Sequence, residues 1–257
     1  MKPHGPGTLP ETKEVRTRVA APKEETRRKR VYKTVAVAET VAGFGVTLDG
    51  RALRTLGRAK LETPARALAD ACAAEWDAQG EYVDPQTMPL TKLLNTALDR
   101  IAPSPGAVVA ELIKYCDADL LCYRAESPSA LVKRQAALWQ PVLDWLEATQ
   151  GIHLEVGQGL MPVRQAADVP DRMKAVLLDF DVPRLTAAQA TASITGSLSL
   201  SLALAHRRLS GAEVAAAALL DDAWQLEQWG EDKDARARMT RLTNDILAIE
   251  TFLNLHD

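Results

Sequence analysis

Catalysis by a soluble protein leaves recognisable groupings of residues, and the chain offers few starting points for one. Its four histidines are His4, His153, His206 and His256. None has a second histidine, cysteine or carboxylate at the helical spacing a zinc site needs. Cys116 and Cys122 stand six apart, which does not fit a metal knuckle, and with Cys72 they read as small buried hydrophobes. Gly43-Phe44-Gly45 and Gly157-Gln158-Gly159 lack the third glycine of a dinucleotide fingerprint, and no Walker-type GKS/T follows any strand. The expectation is no catalytic residue, no metal, no cofactor and no use of ATP. An enzymatic alternative has to rest on paired carboxylates, Glu231 with Asp232 or Asp221 with Asp222, and would need a deep pocket joining them to His206.

Two constellations could carry binding rather than bond chemistry. The first runs from Glu75-Trp76-Asp77-Ala78-Gln79 into Met88-Pro89-Leu90-Thr91-Lys92-Leu93-Leu94-Asn95. Its plain reading is structural: Trp76 and Leu93 anchor a sheet against helices, Asp77 belongs to the same motif, and Asn95 bonds a loop backbone. The second is Gln228-Trp229-Gly230-Glu231-Asp232, followed by Asp234. Trp229-Gly230 ends one helix, with glycine as its C-terminal cap, and the acids open the next. Asp232 with Arg236 and Asp234 with Arg238 are spaced for i,i+4 ion pairs. Capping needs one acid, whereas three stand here beside a tryptophan. An exposed acidic corner with an aromatic also suits docking of a basic partner surface.

The elements around these residues follow from periodicity and turn chemistry. Thr34-Val35-Ala36-Val37 and residues 43–48 read as strands, with Phe44, Val46 and Leu48 on one face. Asp49-Gly50 marks a two-residue hairpin, and return strands are expected near residues 52–54 and 59–61. Thr63-Pro64 reads as the cap and first residue of a helix reaching about Ala78, which lines up Leu68, Cys72 and Trp76. A second helix is expected over residues 89–101. Beyond Pro103 the chain is helical almost to its end. Ser104-Pro105 and Ser127-Pro128 repeat the cap-plus-proline start. Residues 128–149 form a long helix kinked at Pro141 and closed by Gly151, with a short strand over residues 152–156. Capping boxes are expected at Thr186 with Gln189 and at Ser210 with Glu213. Residues 191–205 (TASITGSLSLSLALA) read as one buried helix. The last helix, about residues 234–253, presents Met239, Leu242, Ile246, Ile249 and Leu253 to a partner helix. The fold class is therefore α+β: a small N-terminal antiparallel sheet with packed helices (31–103), then a larger all-helical domain (104–257).

Composition bounds the rest. With 257 residues, 47% hydrophobic and 25% charged, the chain can bury a core. The net charge of −3 gives no reason to expect nucleic acid as a partner. Residues 1–30 carry about +5 and the remainder about −8. The basic stretch, with Pro3, Pro6, Pro10 and Pro22, has too few apolar side chains to order itself. Its glutamates argue against a mitochondrial transit peptide. No apolar run reaches the ~18 residues of a membrane span. Sparse cysteines suit a reducing compartment. A bacterial cytoplasmic protein fits these features, or one of the mitochondrial matrix if the source is eukaryotic.

The run GFGVTLDGRALRT, then EWDAQG, MPLTKLLNTALD, TGSLSLSLAL and WQLEQWGED, resembles the assembly chaperones of the F-type ATP synthase head that bind its alpha subunit. The likeness spans about residues 30–255. It implies a non-catalytic two-domain α+β protein that holds the free alpha subunit, covers the surface that later meets the beta subunit, and leaves as the hexamer forms. It places function on Glu231 and Asp232 after Trp229-Gly230, leaves the Trp76 segment to maintain the fold, and suggests a monomer when free. A carboxylate enzyme and a generic helical adaptor are the alternatives.

Overall fold

The computed structural model describes residues 28–159, 162–230 and 232–256. Most of the basic tail lies outside them, but residues 28–30 are bonded to the body. The Arg28 carbonyl accepts from the Val83 amide at 2.9 Å, and the Arg30 amide donates to the Glu81 carbonyl at 2.8 Å. The Arg30 guanidinium reaches the carbonyls of Asp77 and Gln79.

The sheet is built around β2 (Gly43–Leu48), which pairs antiparallel with β1 (Val35–Thr40), β3 (Arg51–Ala52) and β4 (Glu62–Thr63). Asp49 (φ 48) and Gly50 (φ 75) form the expected turn. The Asp49 carboxylate accepts from the amides of Lys33 and Thr34, which fastens the start of the chain to the hairpin. Gly43 has a reason of its own: a Cβ there would lie 2.5 Å from the Thr63 carbonyl oxygen, with φ at +126°. The glycine serves strand pairing.

Helix α1 (Arg66–Asp77) starts two residues later than the Thr63-Pro64 signal, because Thr63 is used in β4 and Ala65 takes the cap position. Leu68 and Cys72 are fully buried beneath the sheet. They form a small core with Val46, Leu61, Leu90 and Leu94, the last two from α2 (Pro89–Thr96). The expected second helix is thus present, and its last turn, Ala97–Ile101, widens to a π-turn. There Asp99 accepts from Thr55 Oγ1 at 2.6 Å and the Gly57 amide at 2.9 Å, pinning a sheet loop.

The remaining chain packs as helices: α3 (Pro105–Leu112), α4 (Ser129–Gln150), α5 (Val169–Leu178), α6 (Val182–Thr195), α7 (Leu198–Ala205), α8 (Gly211–Ala218), α9 (Leu220–Trp229) and α10 (Lys233–His256). Several local expectations shift. Pro128 caps α4 rather than starting it, and α4 runs unbroken through Pro141 to a left-handed Gly151. Residues 152–156 are not a strand; they lay Ile152 and Leu154 into the core, and the pairing falls one residue later. There β6 (Gly157–Gln158) lies parallel to β5 (Tyr123–Arg124). Thr186 sits inside α6 and donates to the Val182 carbonyl, so the cap of that helix is Asp181, which accepts from the Arg184 amide. Ser210 and Glu213 do form a complete capping box on α8.

The TGSLSLSLAL segment is buried and helical as expected, but as two helices rather than one. Gly196 (φ 67) ends α6, and Ser197 caps α7, all eight of whose residues are buried. Ser197 and Ser199 converge on the wholly buried Asp119. Its carboxylate accepts from both their hydroxyls, from the Ser199 amide and from the Leu121 amide, all at 2.8–3.0 Å. Trp139, also wholly buried, donates from Nε1 to the Ala217 carbonyl and ties α4 to α8. In α10 the predicted stripe divides. Ile246, Ile249 and Leu253 are buried in the large core, while Met239 and Leu242 are only half-buried. Phe252, on the same helix, closes the small core under the sheet.

Candidate functional site

The two sequence constellations lie on different parts of the molecule. In the first, Trp76 is half-buried at the edge of the sheet core, its ring edge-on to Tyr32 at 5.8 Å. The Tyr32 hydroxyl donates to the Trp76 carbonyl at 2.7 Å. Asp77 meets the Arg30 guanidinium at 3.3 Å. Glu75 has the larger role, which periodicity did not reveal: its two oxygens accept from the amides of Leu90 (2.7 Å) and Thr91 (2.8 Å) and cap α2 from α1. The Asn95 side chain makes no hydrogen bond among the described residues, contrary to expectation. This region holds the fold together.

The second constellation forms an outer corner where α9 turns into α10. Trp229, the last residue of α9, is 85% exposed, and Gly230 caps the helix at φ 92°. Glu231 lies outside the described residues. Asp232 accepts from the amides of Asp234 (2.8 Å) and Ala235 (3.2 Å), so it is the cap of α10. Asp234 is exposed beside it. Arg238 does not pair with Asp234 along the helix; it reaches across to Asp222 on α9 at 3.4 Å. The corner is thereby braced while Trp229 is left uncovered. Burying an apolar ring of this size against a partner is one of the larger contributions an interface residue makes.

Behind the corner lies a cavity of about 580 Å³ between β5, α4 and α9. Pro128, Leu131, Trp224 and Trp229 supply apolar wall, and Gln135 and Asp221 are bonded to one another across it at 2.9 Å. Arg124 is its cation. It is only 8% exposed; its Nε donates to the Leu121 carbonyl at 2.8 Å, and its guanidinium stacks 5.2 Å from the Trp139 ring centroid. Burial pushes its pKa down. Sequence reading overlooked Arg124, since a single arginine between Tyr123 and Ala125 carries no pattern. The only usable signal was its position just after the buried Cys122.

Of the carboxylate pairs of the enzymatic alternative, Asp221 and Asp222 are not joined to His206, and the other pair includes Glu231, outside the described residues. Asp221 lines the cavity and Asp222 serves Arg238, whereas His206 sits edge-on to Trp145 and Phe180, at 5.7 and 5.2 Å. Burial there holds its pKa below the usual histidine value. No cluster of three or more potential metal ligands occurs among the described residues. None of their helices is long and apolar enough to cross a membrane.

Known proteins share this arrangement. Residues 29–147 match the family described as ATP12 chaperone protein. The solved structure of Atp12 from Paracoccus denitrificans is similar over 90% of this chain and 99% of its own, with 36% identity and a TM-score of 0.81. A solved structure from Agrobacterium tumefaciens is 40% identical, with a TM-score of 0.78, covering 88% of this chain and 86% of that one. The mitochondrial protein atp12 of Schizosaccharomyces pombe is 24% identical over 231 residues, which span 85% of this chain and 79% of the yeast protein. Near-complete coverage at 36–40% identity extends the match past residue 147 to the Trp229 corner. With that fold shared over nearly the whole chain, the protein belongs to the ATP12 chaperone family.

Proposed function

We propose that this chaperone acts in assembly of the F-type ATP synthase: it binds the free alpha subunit of the catalytic head and covers the surface that later meets the beta subunit. It neither consumes nucleotide nor makes or breaks a covalent bond. The observation that carries the reading is Trp229, a large aromatic left 85% exposed on a braced corner, with acids next to it. A subunit waiting for its partner exposes an apolar interface and aggregates. A holder has to cover that interface and still yield to the true partner. A few aromatic anchors on an acidic body meet both needs, since charge speeds encounter more than it deepens affinity. Relatives in a mitochondrion and in bacteria suit a role in the matrix or the bacterial cytoplasm.

Co-expression with the alpha subunit alone tests this. The parent chain is expected to raise soluble alpha subunit and to co-elute with it in a stoichiometric complex without ATP. Trp229→Ala and Glu231→Lys are expected to lower that yield while melting like the parent. A parent chain that leaves alpha insoluble and does not associate with it overturns the proposal; undiminished rescue by both variants removes this corner from it.

A further inference from the structure

A buried arginine normally faces a carboxylate, because leaving a desolvated cation without a counter-ion is costly. Arg124 has none: no carboxylate of the described residues lies within ion-pair distance of it. Beyond the Nε bond to Leu121 its guanidinium donates to no acceptor among the described residues, and Nη2 is wholly enclosed. Asp221, which shares the cavity, is taken up by Gln135, and Gln135 is in turn held by the Ala125 amide at 2.8 Å. Arg134, the nearest other cation on α4, is satisfied by Glu227 at 2.7 Å and lies over the Trp224 ring. Asp221 and Arg134 thus have partners, whereas the more deeply buried Arg124 has no counter-ion among the described residues.

We propose that Arg124 is the anchor for an aspartate or glutamate side chain of the client, received in this cavity while flanking apolar residues of the client cover Trp224 and Trp229. The inference rests on the reading of the corner as the client-docking surface and adds the chemistry of what docks. A carboxylate entering the cavity accepts from Nη1, the terminal guanidinium nitrogen that is not enclosed, in a charge-assisted hydrogen bond. The apolar walls supply contact area, and the pair supplies register. It also explains how an acidic protein recognises more than basic patches. The negative corner at Asp232 and Asp234 steers the encounter, and one enclosed positive group selects the orientation.

The test measures affinity of the full chain for isolated alpha subunit, for the parent and for Arg124→Gln, Arg124→Lys and Gln225→Glu. Gln225 is exposed on the cavity rim, so its replacement leaves folding unchanged while placing a repelling carboxylate at the entrance. Arg124→Gln is expected to weaken binding by at least about tenfold, the loss that follows removal of one member of an enclosed charge pair. Arg124→Lys should keep part of the affinity, and Gln225→Glu should weaken it by roughly threefold through like-charge repulsion. A folded Arg124→Gln protein that binds as tightly as the parent overturns the proposal. Where that variant fails to fold, parental binding by Gln225→Glu overturns it. A parent that binds alpha while the variants bind equally well removes Arg124 alone, whereas a parent that does not bind at all removes the client reading itself.

Discussion

Asp119 and Arg124 stand five residues apart and show opposite treatments of a buried charge. Asp119 accepts four hydrogen bonds from Leu121, Ser197 and Ser199. Replacing it by alanine leaves two amides and two hydroxyls without an acceptor, so Asp119→Ala should cost about 3 kcal/mol and lower the melting temperature by roughly 8 °C, measurable by calorimetry. Neither residue was legible in the sequence: the serine partners of Asp119 lie 78 and 80 positions downstream, and Arg124 is defined by what it lacks. Trp229 was legible, because a tryptophan before a helix-ending glycine has no core to enter. The cysteines were read correctly as buried. Burial pushes the thiols of Cys72, Cys116 and Cys122 up to about 12. A thiol reagent at pH 8 should therefore leave the native protein unlabelled and modify all three cysteines once denaturant is added.

At the scale of elements, local signals located helices well wherever the cap was chemically distinctive and failed where tertiary contacts took the residue. Ser210 with Glu213 forms its box. Thr63 and Thr186 carry equally good signals, yet Thr63 is consumed by β4 and Thr186 falls inside a helix already capped by Asp181. Residues 191–205 were legible as buried and helical, but the break at Gly196 was hidden by unbroken apolar alternation. The box and the hairpin also set the acid limb of stability. The Ser210 amide holds the Glu213 carboxyl below its usual range, as the Thr34 amide does for Asp49 and the Arg172 side chain for Asp168. For acids depressed in this way, the stabilisation is fully present above the unfolded-state value. It is lost as pH falls from about 4 through the folded-state values. The melting temperature should therefore drop across that interval. Ser210→Ala should lower stability at neutral pH by about 1 kcal/mol and flatten the decline only in part, since it removes the hydroxyl while the amide that holds the Glu213 carboxyl remains.

At the scale of the whole molecule, α10 joins what the sequence divided into a sheet-bearing part and a helical part. Its 24 residues extend about 36 Å, from the cap at Asp232 beside the exposed Trp229 to the core under the sheet. Ile246, Ile249 and Leu253 enter the large core, while Phe252, wholly buried, enters the small one. One helix thus places the exposed corner and seals the sheet. The two cores should therefore melt together. Phe252→Ala removes a large ring from the small core and should cost about 3–5 kcal/mol, a range set by how far the cavity collapses. The lost stability should appear as one shifted transition, with ellipticity and tryptophan fluorescence changing in step, because α10 cannot leave one core and remain in the other. A separate early transition confined to residues 31–103 would mean that the sheet unit folds without the C-terminal helix. Below the lowered melting temperature the corner keeps the ion pair between Asp222 and Arg238, so the variant should bind the proposed client, the alpha subunit, with parental affinity. That would separate the residues that hold this chaperone together from those proposed to meet its client.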